Sequence, residues 1–479
     1  MPLILPGNVG SATASTAHNV SHALRFEPGD NDHLERDPSS SGNRQKFTIS
    51  FWMKISEVAT TTRNIIGCNT AGNDYFIIRM EDSEVQLLAY NTGSLVMSFG
   101  TNALLRDPNA WYHLVFAVDT TQGTEGNRFK LYLNGSQVTS LRFSNYPSEN
   151  ATTLWNHTEN HFIGCFTEGV HNFPGYLCEI VNIDGSQLDA SSFGEFDSAS
   201  GIWKPKDPSD LTFGTNGFYL NIPGASTGQN SSGMGGDSSG NGHHFGSSGL
   251  AADSRVTDTC TNNYAIINAL DNNYNPATLS QGNLKVTTAT SGGYPPTVSS
   301  FGVSSGKWYA ECKYVSRSHS DNYALIGVKS TQITNTNYFG TNANDYAYYS
   351  GNGKYYQSNS GTNYGNSFDQ GDTIGIYLDL DNNKLYFSKD GTLQNSGTGI
   401  SITAPASTSL GNYFFSAGDY GNSVSVVFEW NFGGGTPTSI SSGNTDGEYG
   451  NFEYSTTITG DGVSKTFKAL NTKNLAEFG

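Results

Sequence analysis

Charged side chains are scarce in this chain of 479 residues, and cations are the scarcest of them. Charged residues make up 14% of the sequence, and 25 Lys and Arg stand against 42 Asp and Glu, which gives a formal net charge of −17. So few cations leave no basic surface for a phosphate backbone, which argues against nucleic-acid binding. Disorder is also excluded, because aromatic residues make up 12% of the chain.

Cysteines and long apolar runs are rare as well. The five cysteines are an odd number without a Cys-x-x-Cys motif, so we expect reduced thiols and no disulfide framework. The longest apolar run, around Trp111 to Val118, has the length of a strand, which predicts no membrane insertion. The N-terminus has no basic region, and Pro6 breaks its apolar stretch, which is not typical of a signal peptide. We therefore expect synthesis in a cytoplasm.

Alternating apolar and polar residues predict β-strands throughout the chain. In the segment 46–54, Phe47, Ile49, Phe51 and Met53 share one face of a predicted strand. The dipeptide Asn134-Gly135 predicts a two-residue hairpin turn, because both residues tolerate a positive φ. A short helical turn capped by Asp189 is expected near 186–193, and no other helical stretch is evident. The predicted fold class is all-β, with two antiparallel jelly-roll or β-sandwich domains joined by a Gly/Ser-rich strap.

Composition also suggests where the domains begin and end. We predict a first sandwich over residues 1–206, whose first 20 residues form an anchor segment. A Gly/Ser-rich linker or surface strap follows over 207–256, a second sandwich over 257–432, and a tail with a hairpin over 433–479.

Short strings within each half resemble two known domain families. The first half is similar to laminin-G/concanavalin-A-like jelly rolls in the strings Ala23–Asp32, Phe47–Trp52, Trp111–Val115, Lys130–Gly135 and Gly175–Ile180. The second half resembles SPRY (B30.2-like) sandwiches in the strings Gly306–Glu311, Ile326–Val328, Gly371–Gly375 and Leu385–Gly391. The two resemblances imply a pair of β-sandwiches.

A narrower resemblance runs along nearly the whole chain, to a virion-protein family of tailed phages. It is carried by Met1–Val9, Pro38–Arg44, Arg106–His113, Asn182–Leu188, Phe193–Asp197, Gly214–Leu220, Thr261–Ala265 and Ala469–Thr472. The Gly/Ser-rich segment 433–451 and the C-terminal end 475–479 depart from that family's pattern. The resemblance implies a tail-fibre or other structural protein.

Concanavalin-like folds include glycoside hydrolases, which need two carboxylates projecting into one cleft. The Glu-x-Asp-x-Glu strand motif of such enzymes does not occur here. Glu195 and Asp197 lack a third acidic partner and are expected in a loop, while Glu81 and Glu84 are typical of a solvated turn. We therefore predict no catalysis, and we also expect no required cofactor.

Calcium is the metal that the sequence favours. Asp30 and Asp32 offer oxygen ligands in a predicted loop, although such Asp/Asn-rich turns usually have no ligand. Some laminin-G-like domains bind calcium, and that resemblance implies Asp30, Asp32 and Glu179 as candidate ligands.

Tyrosine is concentrated in the Gly/Asn-rich region 335–366. Tyrosine and asparagine together suit the faces and hydroxyls of sugars or peptides, and SPRY domains, by resemblance, bind ligands through loops at one end of the sandwich. The alternative is that half of these tyrosines pack inside the sheet. The candidate ligand-binding residues are Tyr338, Tyr346, Tyr348, Tyr349, Tyr355, Tyr356 and Tyr364.

These features predict a non-enzymatic phage virion protein, a tail-fibre or spike component that binds a host-surface glycan or protein. By analogy with other fibres it is expected to be a homotrimer on the exterior of the particle, assembled in the host cytoplasm. The segment Met1–Val9 would contact other virion proteins. Two alternatives stay open: a capsid or tail decoration protein without a receptor, and a polysaccharide depolymerase.

Overall fold

The computed structural model describes residues 18–58, 60–70, 72–167, 170–421 and 423–479. The chain divides into two compact units, one over the described residues up to Thr261 and one from Asn262 to Gly479. Both units are built almost entirely of antiparallel strands, which confirms the predicted all-β class with two sandwiches. The predicted anchor segment, including Met1–Val9, lies outside the described residues apart from residues 18–20.

The described residues of the first unit form eighteen strands. In chain order they are β1 (Ala23–Phe26), β2 (His33–Arg36), β3 (Lys46–Ile55), β4 (Arg63–Asn69), β5 (Tyr75–Glu81), β6 (Glu84–Asn91), β7 (Ser94–Leu104), β8 (Trp111–Asp119), β9 (Phe129–Leu133), β10 (Ser136–Gln137), β11 (Leu141–Asn145), β12 (His161–Ile163), β13 (Gly175–Asp184), β14 (Gly194–Phe196), β15 (Trp203–Pro205), β16 (Phe218–Leu220), β17 (Gly246–Ser248) and β18 (Arg255–Val256). Short 3-10 turns lie at Pro28–Asp30, Glu125–Asn127, Ala190–Ser192 and Ala252–Ser254.

Two eight-stranded sheets form the first sandwich. One has the order β10-β9-β8-β3-β13-β1-β18, with β16 also paired to β13, and the other has the order β11-β7-β6-β5-β4-β12-β2-β17. The core between them includes Phe47, Ile49, Phe51 and Met53, so the predicted inward face of β3 is confirmed. The opposite face of the same strand is also buried, because Trp52 belongs to a second apolar cluster on the outside of that sheet.

Two local predictions hold in the first unit. Asn134 and Gly135 have φ values of 47° and 81°, and they connect β9 to β10 as the expected tight turn. Asp189 caps the turn Ala190–Ser192 by accepting a hydrogen bond from the Ser191 N–H. Both features depend on neighbouring residues alone, which is why the sequence indicates them.

The segment 207–256, expected as a linker or strap, contributes strands to both sheets of the first sandwich. Strand β16 pairs with β13, β17 with β2, and β18 with β1. Its Gly/Ser-rich composition therefore belongs to a segment that is hydrogen-bonded to the sandwich along much of its length.

Seventeen strands and one short helix lie in the described part of the second unit. They are β19 (Thr278–Ser280), β20 (Lys285–Thr287), β21 (Thr297–Val298), β22 (Lys307–Arg317), β23 (Ala324–Lys329), β24 (Asp345–Tyr349), β25 (Lys354–Gln357), β26 (Ser360–Asn363), β27 (Thr373–Asp379), β28 (Lys384–Lys389), β29 (Thr392–Leu393), β30 (Ile400–Ser401), β31 (Phe414–Asp419), β32 (Val426–Asn431), β33 (Thr457–Gly460), β34 (Val463–Thr466), β35 (Lys468–Ala469) and α1 (Thr472–Phe478). Its 3-10 turns lie at Ala269–Asp271, Asn395–Gly397 and Pro405–Ser407.

The second sandwich pairs a nine-stranded sheet with a six-stranded one. The larger has the order β19-β20-β32-β22-β27-β28-β29, with β30 on β28 and β35 on β22, and the smaller has the order β21-β31-β23-β24-β25-β26. Segment 433–479, expected as a tail, belongs to this unit: Phe452 and Phe467 pack in an apolar cluster with Tyr309 and Tyr377 of the larger sheet. Helix α1 was not predicted from the sequence. Asn471 caps its N-terminus, because the Asn471 side chain accepts a hydrogen bond from the Asn474 N–H.

Candidate functional site

Strand alternation divides the candidate tyrosines of β24 and β25 between the two faces of the smaller sheet of the second unit. Tyr348 on β24 pairs with Tyr355 on β25, and the neighbouring Ala347 pairs with Tyr356, so the two pairs point to opposite faces. Tyr346, Tyr348 and Tyr364 are buried in the sandwich core, and Tyr355 packs against that core. Burial keeps these three rings from a ligand at the surface, so they are not part of the binding surface proposed below.

The buried tyrosines have structural partners. Tyr348 stacks on Phe387, with ring centroids 5.1 Å apart, and meets Tyr364 edge to face. The Tyr364 hydroxyl accepts the Phe387 N–H at 3.1 Å, and burial raises the pKa of both tyrosines. These phenols stay neutral and serve the core, as buried tyrosines do when their hydroxyls have hydrogen-bond partners.

Three of the seven candidates, Tyr338, Tyr349 and Tyr356, contribute to an outward cluster that we call the tyrosine face. It consists of Tyr323, Tyr338, Tyr349, Tyr356 and Tyr420. Tyr338 lies edge to face with Tyr420 at 4.5 Å, Tyr420 contacts Tyr349 at 6.0 Å, and Tyr349 contacts Tyr356 at 5.6 Å. Tyr323 completes the cluster from the other side of Tyr420, at 5.9 Å. Edge-to-face pairs of this kind hold each ring in one orientation.

An apolar floor supports the tyrosine face. Leu325, Phe339 and Ala347 are buried beneath it, and Tyr338 and Tyr349 pack on them. Glycine permits the close packing of a ring on the neighbouring strand: Gly361 is opposite Tyr356 in register, and a Cβ there would lie 2.9 Å from the Tyr356 ring. The rings therefore have little freedom to lose when a ligand binds.

Polar groups border the tyrosine face. The Tyr338 hydroxyl donates to the Asn359 amide oxygen, the Tyr323 hydroxyl donates to Asp321 at 2.9 Å, and the Asn352 amide donates to the Tyr356 hydroxyl at 3.1 Å. Tyr420 is 45% exposed and is the most accessible ring of the five. Burial raises the pKa of Tyr349 to about 12, so this phenol is neutral at neutral pH. Apolar ring faces edged by amides and hydroxyls suit an uncharged polar ligand.

Sequence reasoning missed Tyr323 and Tyr420. Both lie outside region 335–366, and they reach the face because β31 and β23 are neighbours in the sheet. Strand order is a tertiary property, so local composition contains no signal for Tyr420.

The three candidate calcium ligands are placed in different surroundings. Asp30 is exposed at the end of a 3-10 turn, whereas Asp32 is buried and accepts the Glu27 N–H at 2.9 Å. Glu179 accepts hydrogen bonds from His18 at 2.8 Å and from Tyr219 at 2.8 Å. Within the described ranges, no group of three or more His, Cys, Asp or Glu side chains is placed to hold a metal ion. The proposed three-residue ligand set is therefore not assembled.

The carboxylates considered for catalysis have structural partners instead. Glu195 and Asp197 lie at a two-stranded sheet, and the Lys204 ammonium is 3.3 Å from each of them. Glu81 pairs with Arg79 at the turn between β5 and β6, and Glu84 pairs with Arg142. No helix in the described part of the chain is long and apolar enough to cross a membrane.

The fold and site define a chain of two β-sandwiches, the second with an aromatic outer face. Family comparison agrees with this division: residues 28–185 match the model described as the Concanavalin A-like lectin/glucanases superfamily, and residues 307–428 match the SPRY domain model. The chain thus carries a concanavalin A-like domain followed by a SPRY domain. Neither model describes a virion protein, and no curated protein matches the sequence.

Several solved structures are similar to parts of the chain. The SPRY domain of human HERC1 is 19% identical over 34% of this chain and 94% of that one, with a TM-score of 0.29. A candidate carbohydrate binding protein from Bacteroides ovatus is 14% identical over 48% of this chain and 58% of that one, with a TM-score of 0.32. The SAP-like pentraxin of Limulus polyphemus is 16% identical over 41% and 100%, with a TM-score of 0.29. Scores this low bear on neither function nor ligand.

Proposed function

We propose that this chain is a non-catalytic binding protein that uses the tyrosine face to bind a host-surface glycan. The observation that carries the proposal is the outward cluster of five tyrosines, supported by an apolar floor and edged by amides. The exposed ring of Tyr420 offers a surface for the C–H face of a sugar. Asn352 and Asn359 border the same face through their hydrogen bonds to Tyr356 and Tyr338, and they supply polar groups for sugar hydroxyls.

The strings that resemble tailed-phage virion proteins extend the proposal to a biological setting. The chain would be a tail-fibre or spike component on the exterior of the particle, and a homotrimer by analogy with other fibres. The uncharged polar and acidic composition supports a contact through rings and amides, because 25 cations against 42 anions leave little attraction for an anionic envelope.

The test is binding of the purified full chain to a glycan array and to susceptible cells. Tyr420→Ala and Tyr349→Ala should each weaken binding by about tenfold, the loss expected for a stacked aromatic contact. The matched control is Tyr274→Ala, because Tyr274 is 47% exposed in the same unit and lies outside the tyrosine face. Thermal unfolding of each variant shows whether the fold is retained.

The outcomes separate the proposal from its alternatives. Binding that Tyr420→Ala leaves unchanged would refute the role of the tyrosine face. Failure to label cells or to block infection, together with many copies per particle, would favour a decoration protein. Release of reducing ends from host capsule by the purified chain would show a depolymerase instead.

A further inference from the structure

A cleft with a volume of about 270 Å³ lies on the outward face of the larger sheet of the second unit. Strands β22, β27 and β32 form its floor, and residues 436–441 with 453–454 form its walls. The wall formed by residues 436–441 belongs to the Gly/Ser-rich segment 433–451 that departs from the phage-family pattern. The tyrosine face lies on the other sheet of the same sandwich, so the cleft is a separate feature and is argued independently of the proposed function.

Glu311 fixes one wall of the cleft. Its carboxylate accepts the backbone N–H groups of Glu453 at 3.1 Å and Tyr454 at 2.8 Å. The Tyr309 hydroxyl and the Asn431 amide donate to it as well, at 3.0 and 3.1 Å. Glu311 is 3% exposed, and burial raises its pKa. With four donors around it, this carboxylate holds the wall and is not available to a ligand.

Two further carboxylates fix the other wall. Glu429 on β32 forms an ion pair with Lys285 at 3.3 Å and accepts a hydrogen bond from the Thr438 hydroxyl. Glu453 accepts the Ser441 N–H at 2.6 Å, and hydrogen bonds from the Ser441 hydroxyl and backbone lower its pKa. Each acidic side chain that lines the cleft therefore has partners within the protein.

Lys313 is the exception among the charged groups of the cleft. In the sheet it lies between Glu429 on β32 and Thr373 on β27. Its ammonium forms no ion pair within the described part of the chain. The half-buried side chain thus brings one ammonium without an ion pair to a cleft otherwise lined mainly by hydroxyls, amides and three carboxylates that have hydrogen-bond or ion-pair partners.

We propose that the cleft is a second binding site, specific for a sugar that carries a carboxylate. The Lys313 ammonium would bind the carboxylate, and the hydroxyl groups of Thr373, Thr436 and Ser439 would bind the sugar hydroxyls. One ammonium matches a single negative charge, whereas recognition of phosphate typically uses an Arg fork or several cations. The Glu453 carboxylate, whose pKa is lowered, repels a dianion more strongly than a monoanion.

The probes are methyl β-D-glucuronide, methyl β-D-glucoside and inorganic phosphate, titrated into the full chain by calorimetry. We expect the glucuronide to bind at least tenfold more tightly than the other two and its affinity to fall as salt increases. Lys313→Gln should reduce glucuronide affinity about tenfold or more, as expected for loss of a charge-assisted hydrogen bond.

Three controls make the result specific. Lys130→Gln removes a lysine of the first unit and should change nothing, and Tyr420→Ala should leave glucuronide binding intact even if it abolishes glycan binding at the tyrosine face. Thermal unfolding should show that Lys313→Gln folds normally. Equal binding of the two glycosides, tighter binding of phosphate, absence of glucuronide binding, or full affinity in Lys313→Gln would each overturn the proposal.

Discussion

The buried ion pair of Lys54 and Asp258 allows a quantitative test of what stabilises the first sandwich. The Lys54 ammonium lies 2.8 Å from the Asp258 carboxylate, and the two side chains are 0% and 4% exposed. Asp258 also accepts a hydrogen bond from the Trp111 indole at 3.3 Å. The pair links β3 to the segment that follows β18, at the end of the first unit.

The energetics of this pair are asymmetric. Burial lowers the pKa of Lys54 although Asp258 raises it, so loss of hydration outweighs attraction in the folded state. Removing one partner leaves the other charge buried and uncompensated, which typically costs about 3–5 kcal/mol. Replacing both with apolar side chains of similar size removes the desolvation cost together with the attraction, and is typically neutral or stabilising.

We therefore expect Lys54→Met to reduce the free energy of unfolding of the first unit by about 3–5 kcal/mol. The double variant Lys54→Met/Asp258→Leu should recover most of that loss. Urea denaturation, followed by Trp fluorescence and by hydrogen exchange of β3, would measure both. If the double variant were less stable than Lys54→Met, or Lys54→Met cost under about 1 kcal/mol, this account of the pair would be refuted.

Three more perturbations test separate features. Burial raises the pKa of Asp32 from 3.8 to about 7, so between about pH 4 and pH 7 the folded state holds a proton that the unfolded state has lost, and stability falls as pH rises. Across that range, chemical denaturation should show that Asp32→Asn gains stability relative to the unsubstituted chain. A difference in stability that does not depend on pH would contradict this prediction. The sulfur atoms of Cys178 and Cys260 are 3.8 Å apart, so oxidised glutathione should join them into a disulfide. That disulfide would close a loop of 82 residues and raise the free energy of unfolding by about 4 kcal/mol. Mass spectrometry that shows only mixed disulfides with glutathione would contradict this prediction. Glu311→Gln places an amide N–H donor against the N–H groups that donate to the Glu311 carboxylate, so hydrogen exchange should accelerate at residues 453–454. Unchanged protection at those residues would show that the carboxylate does not hold the wall of the cleft.

The candidate site was only partly predictable, as two neighbouring residues illustrate. Tyr348 and Tyr349 have the same composition around them, and alternation says only that they point to opposite faces. Which face is the core depends on the sheet that covers β24, and that sheet is built from strands that are distant from β24 in the sequence. Tyr420 could not be predicted at all, because its contact with Tyr349 follows from the order β31-β23-β24.

The same distinction between local sequence information and strand pairing applies to the limits of the domains. The Gly/Ser-rich composition of 207–256 contains no information about β17 pairing with β2 across some 210 residues. The candidate calcium ligands were likewise chosen by residue type, and residue type does not show that the partners of Glu179 are His18 and Tyr219.

By itself, the sequence determined the all-β class, the inward face of β3 and the hairpin at Asn134-Gly135, because alternation and turn preference are properties of adjacent residues. Tertiary structure alone decided which tyrosines form a surface, which carboxylates are satisfied and where Lys313 is left without a partner. These depend on pairing between distant strands, for which a single sequence holds no local signal. Of the 25 cationic side chains in the sequence, Lys313 lies in a cleft without an ion pair among the described residues. The sequence gives the number of cations, and the fold decides which of them lack a counter-ion.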